Sequence, residues 1–126
     1  MSVPVNLDEL RAHAARFGAT AYLLTVADDG RPHSVAVEIG WDGDAMTASC
    51  GKRTRSNVAA RPLVSLLWPP IEAGGYSLIV DGDGSVEGEG EAARVVVRPT
   101  RGVMHRPAAG PPKAGASCSD DCVRVV

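Results

Sequence analysis

The stretch MTASCGKRTRSNVAARPLVSLLW, residues 46–68, reads as a strand, a basic loop, a short helix and a second strand. The first strand runs from Ala45 to about Cys50, and the second from Val64 to Trp68. Between them Thr54 to Ala60 predicts a helix of one to two turns. It ends at Arg61-Pro62, because a residue before proline is pushed out of the α region. A helical link this short cannot carry the chain across a sheet to a parallel neighbour, which takes a dozen or more residues. The sheet around it is therefore expected to be antiparallel.

Working outward, short hairpins supply the other strands. Thr20 to Ala27 is a nearly continuous apolar run, and Asp29-Gly30 marks a tight turn after it. His33 to Gly40 alternates, with Val35, Val37 and Ile39 on one face and Ser34, Ala36 and Glu38 on the other. Asp42-Gly43 is the next hairpin signal. Beyond Trp68, Pro69-Pro70 and Gly74-Gly75 bracket a turn. Tyr76 to Val80 begins a strand that continues with a bend through the Asp/Gly stretch to Val86. Ala92 to Arg98 is the sixth strand, and Thr100 to His105 is expected to form a helical turn.

Before the first strand, Asn6 and Glu9 have the spacing of a capping box, with the Asn6 side chain on the N–H of the third helical residue. Leu7, Leu10, Ala14 and Phe17 then share one helical face up to Gly18. Six strands joined by hairpins, one helix ahead of them and a small one between strands three and four, indicate a closed or partly closed antiparallel barrel. The barrel domain is expected over residues 1–107. The Pro/Gly/Ala-rich segment 108–126 reads as an arm, whose end, Val123 to Val126, is a short strand or a disordered tail.

Composition narrows the function classes. At 126 residues the chain is one domain with room for a real core, and its net charge is −2. Nucleic acid is not an expected partner, because no basic face dominates and aromatics are scarce. No apolar run approaches the length of a membrane span, and no signal peptide is read at the start. Three cysteines, an odd number with two close together, argue for a reducing cytoplasm over a disulfide framework.

The chemistry concentrates in the opening stretch. Lys52, Arg53, Arg55 and Arg61 bring four of the thirteen basic residues together, interleaved with Thr54, Ser56 and Asn57. Free N–H groups at a helix entrance, its dipole and guanidinium forks together bind a phosphate. A solvated turn with incidental arginines is the plain alternative.

Other constellations are incomplete. Gly82, Gly84 and Gly88 have the wrong spacing for a dinucleotide fingerprint. Asp81, Asp83, Ser85 and Glu87 imitate a calcium loop, but Val86 and Ala92 stand where glycine and glutamate are required. His33 and His105 have no ligand at metal spacing, so no metal site is expected. Cys118 and Cys122 are four apart, and the third reading they allow is a metal- or redox-sensitive arm. Cys50 fits a small core residue. No catalytic acid, base or nucleophile can be named from spacing, which suits a protein whose chemistry is done by a bound cofactor.

Two segments carry a family resemblance: DDGRPHSVAVEIGWDGD, residues 28–44, and GKRTRSNVAARPLVSLLW, residues 51–68. Over Leu7 to Val97 the chain resembles the pyridoxamine 5′-phosphate oxidase-like family, the flavin and deazaflavin split β-barrels. The resemblance implies a mainly β, six-stranded antiparallel split β-barrel that dimerises, with the cofactor in the groove between subunits. It implies FMN or the deazaflavin F-420 as cofactor, and hydride transfer to or from a small organic substrate. The phosphate-holding positions of the family fall on Lys52, Arg53, Thr54 and Asn57, with Thr54 where relatives carry lysine. Ser34 lines the groove near the ring, and His33 and Ser34 stand where FMN-binding relatives often have arginine. Trp68, Trp41 and Tyr76 are candidates for its walls. The alternative is a non-catalytic split-barrel module that binds flavin, haem or another anionic ligand.

Overall fold

A computed structural model describes residues 1–108. The segment from 109 onward, which holds Cys118, Cys122 and most of the expected arm, lies outside the described residues.

Eight strands form one curled antiparallel sheet, a half-barrel, where six are expected. They are β1 (Ser2–Val5), β2 (Thr20–Val26), β3 (Pro32–Glu38), β4 (Gly40–Asp42), β5 (Ala45–Ala48), β6 (Leu63–Trp68), β7 (Ser77–Glu87) and β8 (Arg94–His105). Their order in the sheet is β3-β2-β6-β7-β8-β5-β4, with β1 added on β8. Two helices accompany them, α1 (Leu10–Phe17) and α2 (Lys52–Ala60).

The extra strands have physical causes. Ser2–Val5 pairs with the far half of β8, from Gly102 to His105, so a short segment containing proline becomes a strand by borrowing an edge. The second half of β8 is thus strand, not the helical turn expected over Thr100 to His105. It pairs with β1 on one side and β7 on the other. β3 ends at Glu38, and Gly40–Asp42 then pairs with Ala45–Thr47 as a separate hairpin.

The two longest strands, β7 and β8, form the spine. Their register slips between Asp81 and Gly82, where Gly82 faces Pro99 and Asp81 faces Arg101. Thr100 is the unpaired residue of that bulge, and its hydroxyl donates to the Asp81 carbonyl at 3.2 Å. Proline is tolerated at such a point because no ladder bond is asked of it. A side chain at Gly82 would stand 2.6 Å from Val97 Cγ1 and 2.8 Å from the Arg98 carbonyl, so only glycine lets the two strands close there.

Leu23, Met46, Val58, Leu66, Leu78, Val80, Val95 and Val97 fill the core. Each such side chain contributes about 1.5–3 kcal/mol through burial. α1 adds Leu10 and Ala14 to it. Trp68 Nε1 donates to the Gly18 carbonyl at 3.0 Å, fixing the end of α1 to β6. The helix start differs in detail from expectation. Asn6 Oδ1 accepts from the Asp8 N–H at 3.0 Å, and a short 3₁₀ turn (Leu7–Glu9) precedes α1. Glu9 turns to His13, 3.8 Å away, instead of back to the cap.

Candidate functional site

α2 begins at Lys52, earlier than the expected Thr54, so the basic loop is itself the first turn of the helix. Gly51 occupies the cap position with extended backbone and no side chain to accept the first N–H groups, and no acidic residue lies in that turn. The helix packs on β2, β7 and β8.

Helical spacing sorts the candidate residues into two sets. Thr54, Asn57 and Val58 face inward and are buried. Thr54 Oγ1 lies 3.2 Å from His33 Nε2, and Asn57 Nδ2 donates to Thr25 Oγ1 at 3.1 Å. Thr25 and His33 are directly opposite one another on β2 and β3. Four polar side chains thus fasten the underside of α2 to the sheet. Lys52, Arg53 and Ser56 face outward and are exposed. Among the described residues neither Lys52 nor Arg53 has a carboxylate partner.

The other two arginines of the stretch are already engaged. Arg55 Nη1 donates to the Cys50 carbonyl at 2.5 Å. Arg61 donates to the Val26 carbonyl at 2.7 Å and pairs with Asp28 at 2.6 Å. Arg55 braces α2 against the segment before it, and Arg61 braces its end against the end of β2 and the turn that follows.

Two clefts meet at Lys52 and Arg53. One, of about 340 Å³, is lined by His33, Val35, Cys50, Gly51 and Thr54 as well. The other, of about 710 Å³, continues past Ser56 and Asn57 to Asp28 and Asp29 on the β2–β3 turn. Those two aspartates are paired with Arg61 and Arg31. In the first cleft, burial pushes the Cys50 thiol above its ordinary value, against smaller opposing effects of Arg55 and a backbone hydrogen bond from Val95. Its walls are apolar from β3 and cationic from α2, which fits a ligand with a flat organic body and a phosphate.

Ser34 lies on the opposite face of β3 from His33 and is exposed there, next to Leu24 of β2. None of the three expected aromatic walls lines either cleft at Lys52. Trp68 is core, Trp41 lies under Arg11 at 5.5 Å, and Tyr76 under Arg106 at 4.7 Å. His33 lines the smaller cleft beside Lys52 and Arg53. The alternation of β3 puts it on the face of Val35 and Val37.

No family model matches the chain. Two mycobacterial relatives do: the uncharacterized proteins Mb0449c of Mycobacterium bovis and MT0457 of Mycobacterium tuberculosis. Each is 44% identical over 117 residues, covering 82% of this chain and 82% of the relative. The chain belongs to their family. Solved structures share its fold. An FAD-binding protein from Mycobacterium smegmatis has a TM-score of 0.56 at 18% identity, over 84% of this chain and all of that one. A Listeria innocua protein described as a "putative pyridoxamine 5′-phosphate oxidase" gives 0.58 at 21%, over 75% of this chain and 92% of that one. An F420 reductase gives 0.53 at 22%, over 67% and 88%. The haem storage protein HutZ from Vibrio cholerae gives 0.59 at 14%, over 81% and 96%. The fold of this chain is therefore the split β-barrel of the pyridoxamine 5′-phosphate oxidase-like proteins, a scaffold shared by the FAD-binding protein, the F420 reductase and the haem storage protein above.

Proposed function

We propose that this split barrel is a homodimeric, cytoplasmic oxidoreductase that binds a flavin nucleotide, FMN or the deazaflavin F-420, and passes a hydride to or from a small organic substrate. The observation that carries the reading is the pair Lys52 and Arg53. Two exposed cations without carboxylate partners among the described residues stand at an uncapped helix start, where two clefts meet. Such a place suits a phosphate. Thr54 and Asn57 serve it from beneath by holding the helix in position, and Ser34 belongs to the groove between subunits.

When bound, the flavin ring supplies the hydride chemistry, and the protein's part is binding, orientation and electrostatics. Lys52 and Arg53 neutralise the phosphate. Val35 and Val37 give the ring an apolar wall that keeps water from one face.

The dimer is supported by the outer face of the sheet. Tyr22, Leu24 and Val26 run along β2, Leu67 lies opposite Tyr22, and Ile79 opposite Leu67. Leu63 is 74% exposed beside them. Ser65, which donates to Asp81 at 2.7 Å, interrupts the band on β6, so the apolar strip is the β2 row with Leu67, Ile79 and Leu63 at its margins. An apolar strip of this kind on a sheet face marks an interaction surface, and one face meeting its own copy about a two-fold axis is the commonest solution.

Titrating FMN and F-420 separately into the purified protein, with ring fluorescence as the signal, tests the reading. Sub-micromolar binding of one of them is expected, and binding of neither removes it. A second reading, a non-catalytic haem or flavin carrier, is favoured by the likeness to HutZ and by the imidazole of His33 in the cleft. A Soret band on the purified protein, lost in His33→Ala, would favour the haem form of this reading, and bound FMN with no reduction by NAD(P)H and no oxidation by any acceptor would favour its flavin form.

A further inference from the structure

β3 brings one titratable ring to the cleft that holds Lys52 and Arg53. His33 is half-buried, and its Nε2 is engaged with Thr54. Its Nδ1 has no partner among the described residues, yet it is not sealed from solvent. The groups around the ring are few. β2 offers Thr25, α2 offers Lys52, Arg53 and Thr54, and the segment before α2 offers Ser49 and the Cys50 thiol. No carboxylate lines this cleft. The carboxylates of the adjoining β2–β3 turn, Asp28 and Asp29, face Arg61 and Arg31.

We infer that His33 contacts the ligand's phosphate through Nδ1 and is the third cation of the site, one whose charge is conditional. The inference rests on the flavin-phosphate reading above. Nε2 stays on Thr54, and this leaves Nδ1 as the ring's only free polar atom. Protonated, an imidazole donates from both nitrogens whichever tautomer the neutral ring adopts, and it adds a full charge. A hydrogen bond with an ionised partner is roughly twice as strong as a neutral one, and a protonated ring makes both partners ionised and adds a direct charge–charge attraction. Histidine is the side chain that makes this change between about pH 5 and 8. A fixed guanidinium would hold the phosphate equally across that range. His33 makes retention of the ligand depend on proton concentration.

The test compares wild type with His33→Gln, whose carboxamide can keep a hydrogen bond to Thr54. FMN and riboflavin affinities are measured for both proteins from about pH 5.5 to 8.5. The phosphate's own titration is common to both and cancels in the ratio of affinities. For FMN the wild-type advantage is expected to be about tenfold greater at the acid end, and for riboflavin it is expected to be flat. An FMN ratio that stays constant, or a riboflavin ratio that moves with it, overturns the inference and leaves the flavin reading standing. Failure of the wild type to bind either FMN or F-420 at any pH overturns both. Independently of the variant, the NMR titration of the wild-type His33 ring should move to a higher midpoint when inorganic phosphate is added. An unmoved midpoint also overturns the inference.

Discussion

Asn57 donates from Nδ2 to the hydroxyl of Thr25, 3.1 Å away, with both side chains buried. The bond joins the middle of α2 to β2 and sets the height at which Lys52 and Arg53 stand above the sheet. Asn57→Ala leaves the Thr25 hydroxyl without this partner inside the protein, at a cost of about 1–3 kcal/mol. Thermal unfolding should show the midpoint falling by several degrees. Since α2 is also held by Arg55 and Arg61, the far-ultraviolet spectrum should remain that of a β protein.

Lys52 and Arg53 predict the opposite split between stability and binding. Both are exposed, and no ion pair among the described residues is lost with them, so Lys52→Ala and Arg53→Ala should leave the unfolding midpoint within about a degree or two. On the flavin-phosphate proposal each would remove a charge-assisted contact worth about 1.5–3 kcal/mol, so FMN binding is expected to weaken about tenfold to a hundredfold. Riboflavin, without the phosphate, should bind both variants as it binds wild type. Fluorescence titration of the two ligands checks this directly.

Much of this arrangement could be read from the residues in order. Asp29-Gly30 lies in the β2–β3 turn, and the second hairpin turns at Gly43-Asp44, one residue on from the Asp42-Gly43 signal, with Gly30 and Gly43 both at positive φ. The alternation of Val35 and Val37 against Ser34 and Ala36 fixes which way β3 faces. Two features were hidden because their cause is tertiary. Ser2–Val5 is a strand only because β8 offers it an edge, and Thr100 to His105 is extended only because β1 and β7 both claim it. The sorting of the basic stretch follows from helical spacing. Residues 54, 57 and 58 share one helical face with Val58 as its apolar member, so Thr54 and Asn57 belong beneath the helix while Lys52 and Arg53 belong above.

Cys50 gives stability a dependence on alkaline pH. Burial raises its thiol, Arg55 and the Val95 backbone hydrogen bond lower it by less, and the net direction is upward. The folded protein thus keeps the thiol proton to a higher pH than the unfolded chain does. Above the unfolded value, about 8.5 for an ordinary thiol, the unfolded state binds fewer protons, so its formation becomes easier as pH rises. The contribution is fully present at neutral pH and is lost as pH climbs through the folded value. Urea midpoints measured from about pH 7 to 10 should decline more steeply for wild type than for Cys50→Ala. Parallel declines would show that the thiol is not the cause.

The outer face of β2 and β6 predicts what a single charge does to assembly. Tyr22 is 43% exposed and Leu63 74%, and both point away from the barrel core. Leu63→Asp removes little from the folding of one subunit, because that side chain already faces water in an isolated chain. In a dimer built on this face it would bury a carboxylate against apolar groups or against its own copy, which costs several kcal/mol unless paired. The variant should elute as a monomer where wild type elutes as a dimer in light scattering, with an unchanged β spectrum. If the flavin occupies a groove between subunits, FMN affinity should fall together with dimerisation, although Leu63 lines neither cleft at Lys52. A monomeric Leu63→Asp that still binds FMN as tightly as wild type would place the whole ligand site within one subunit.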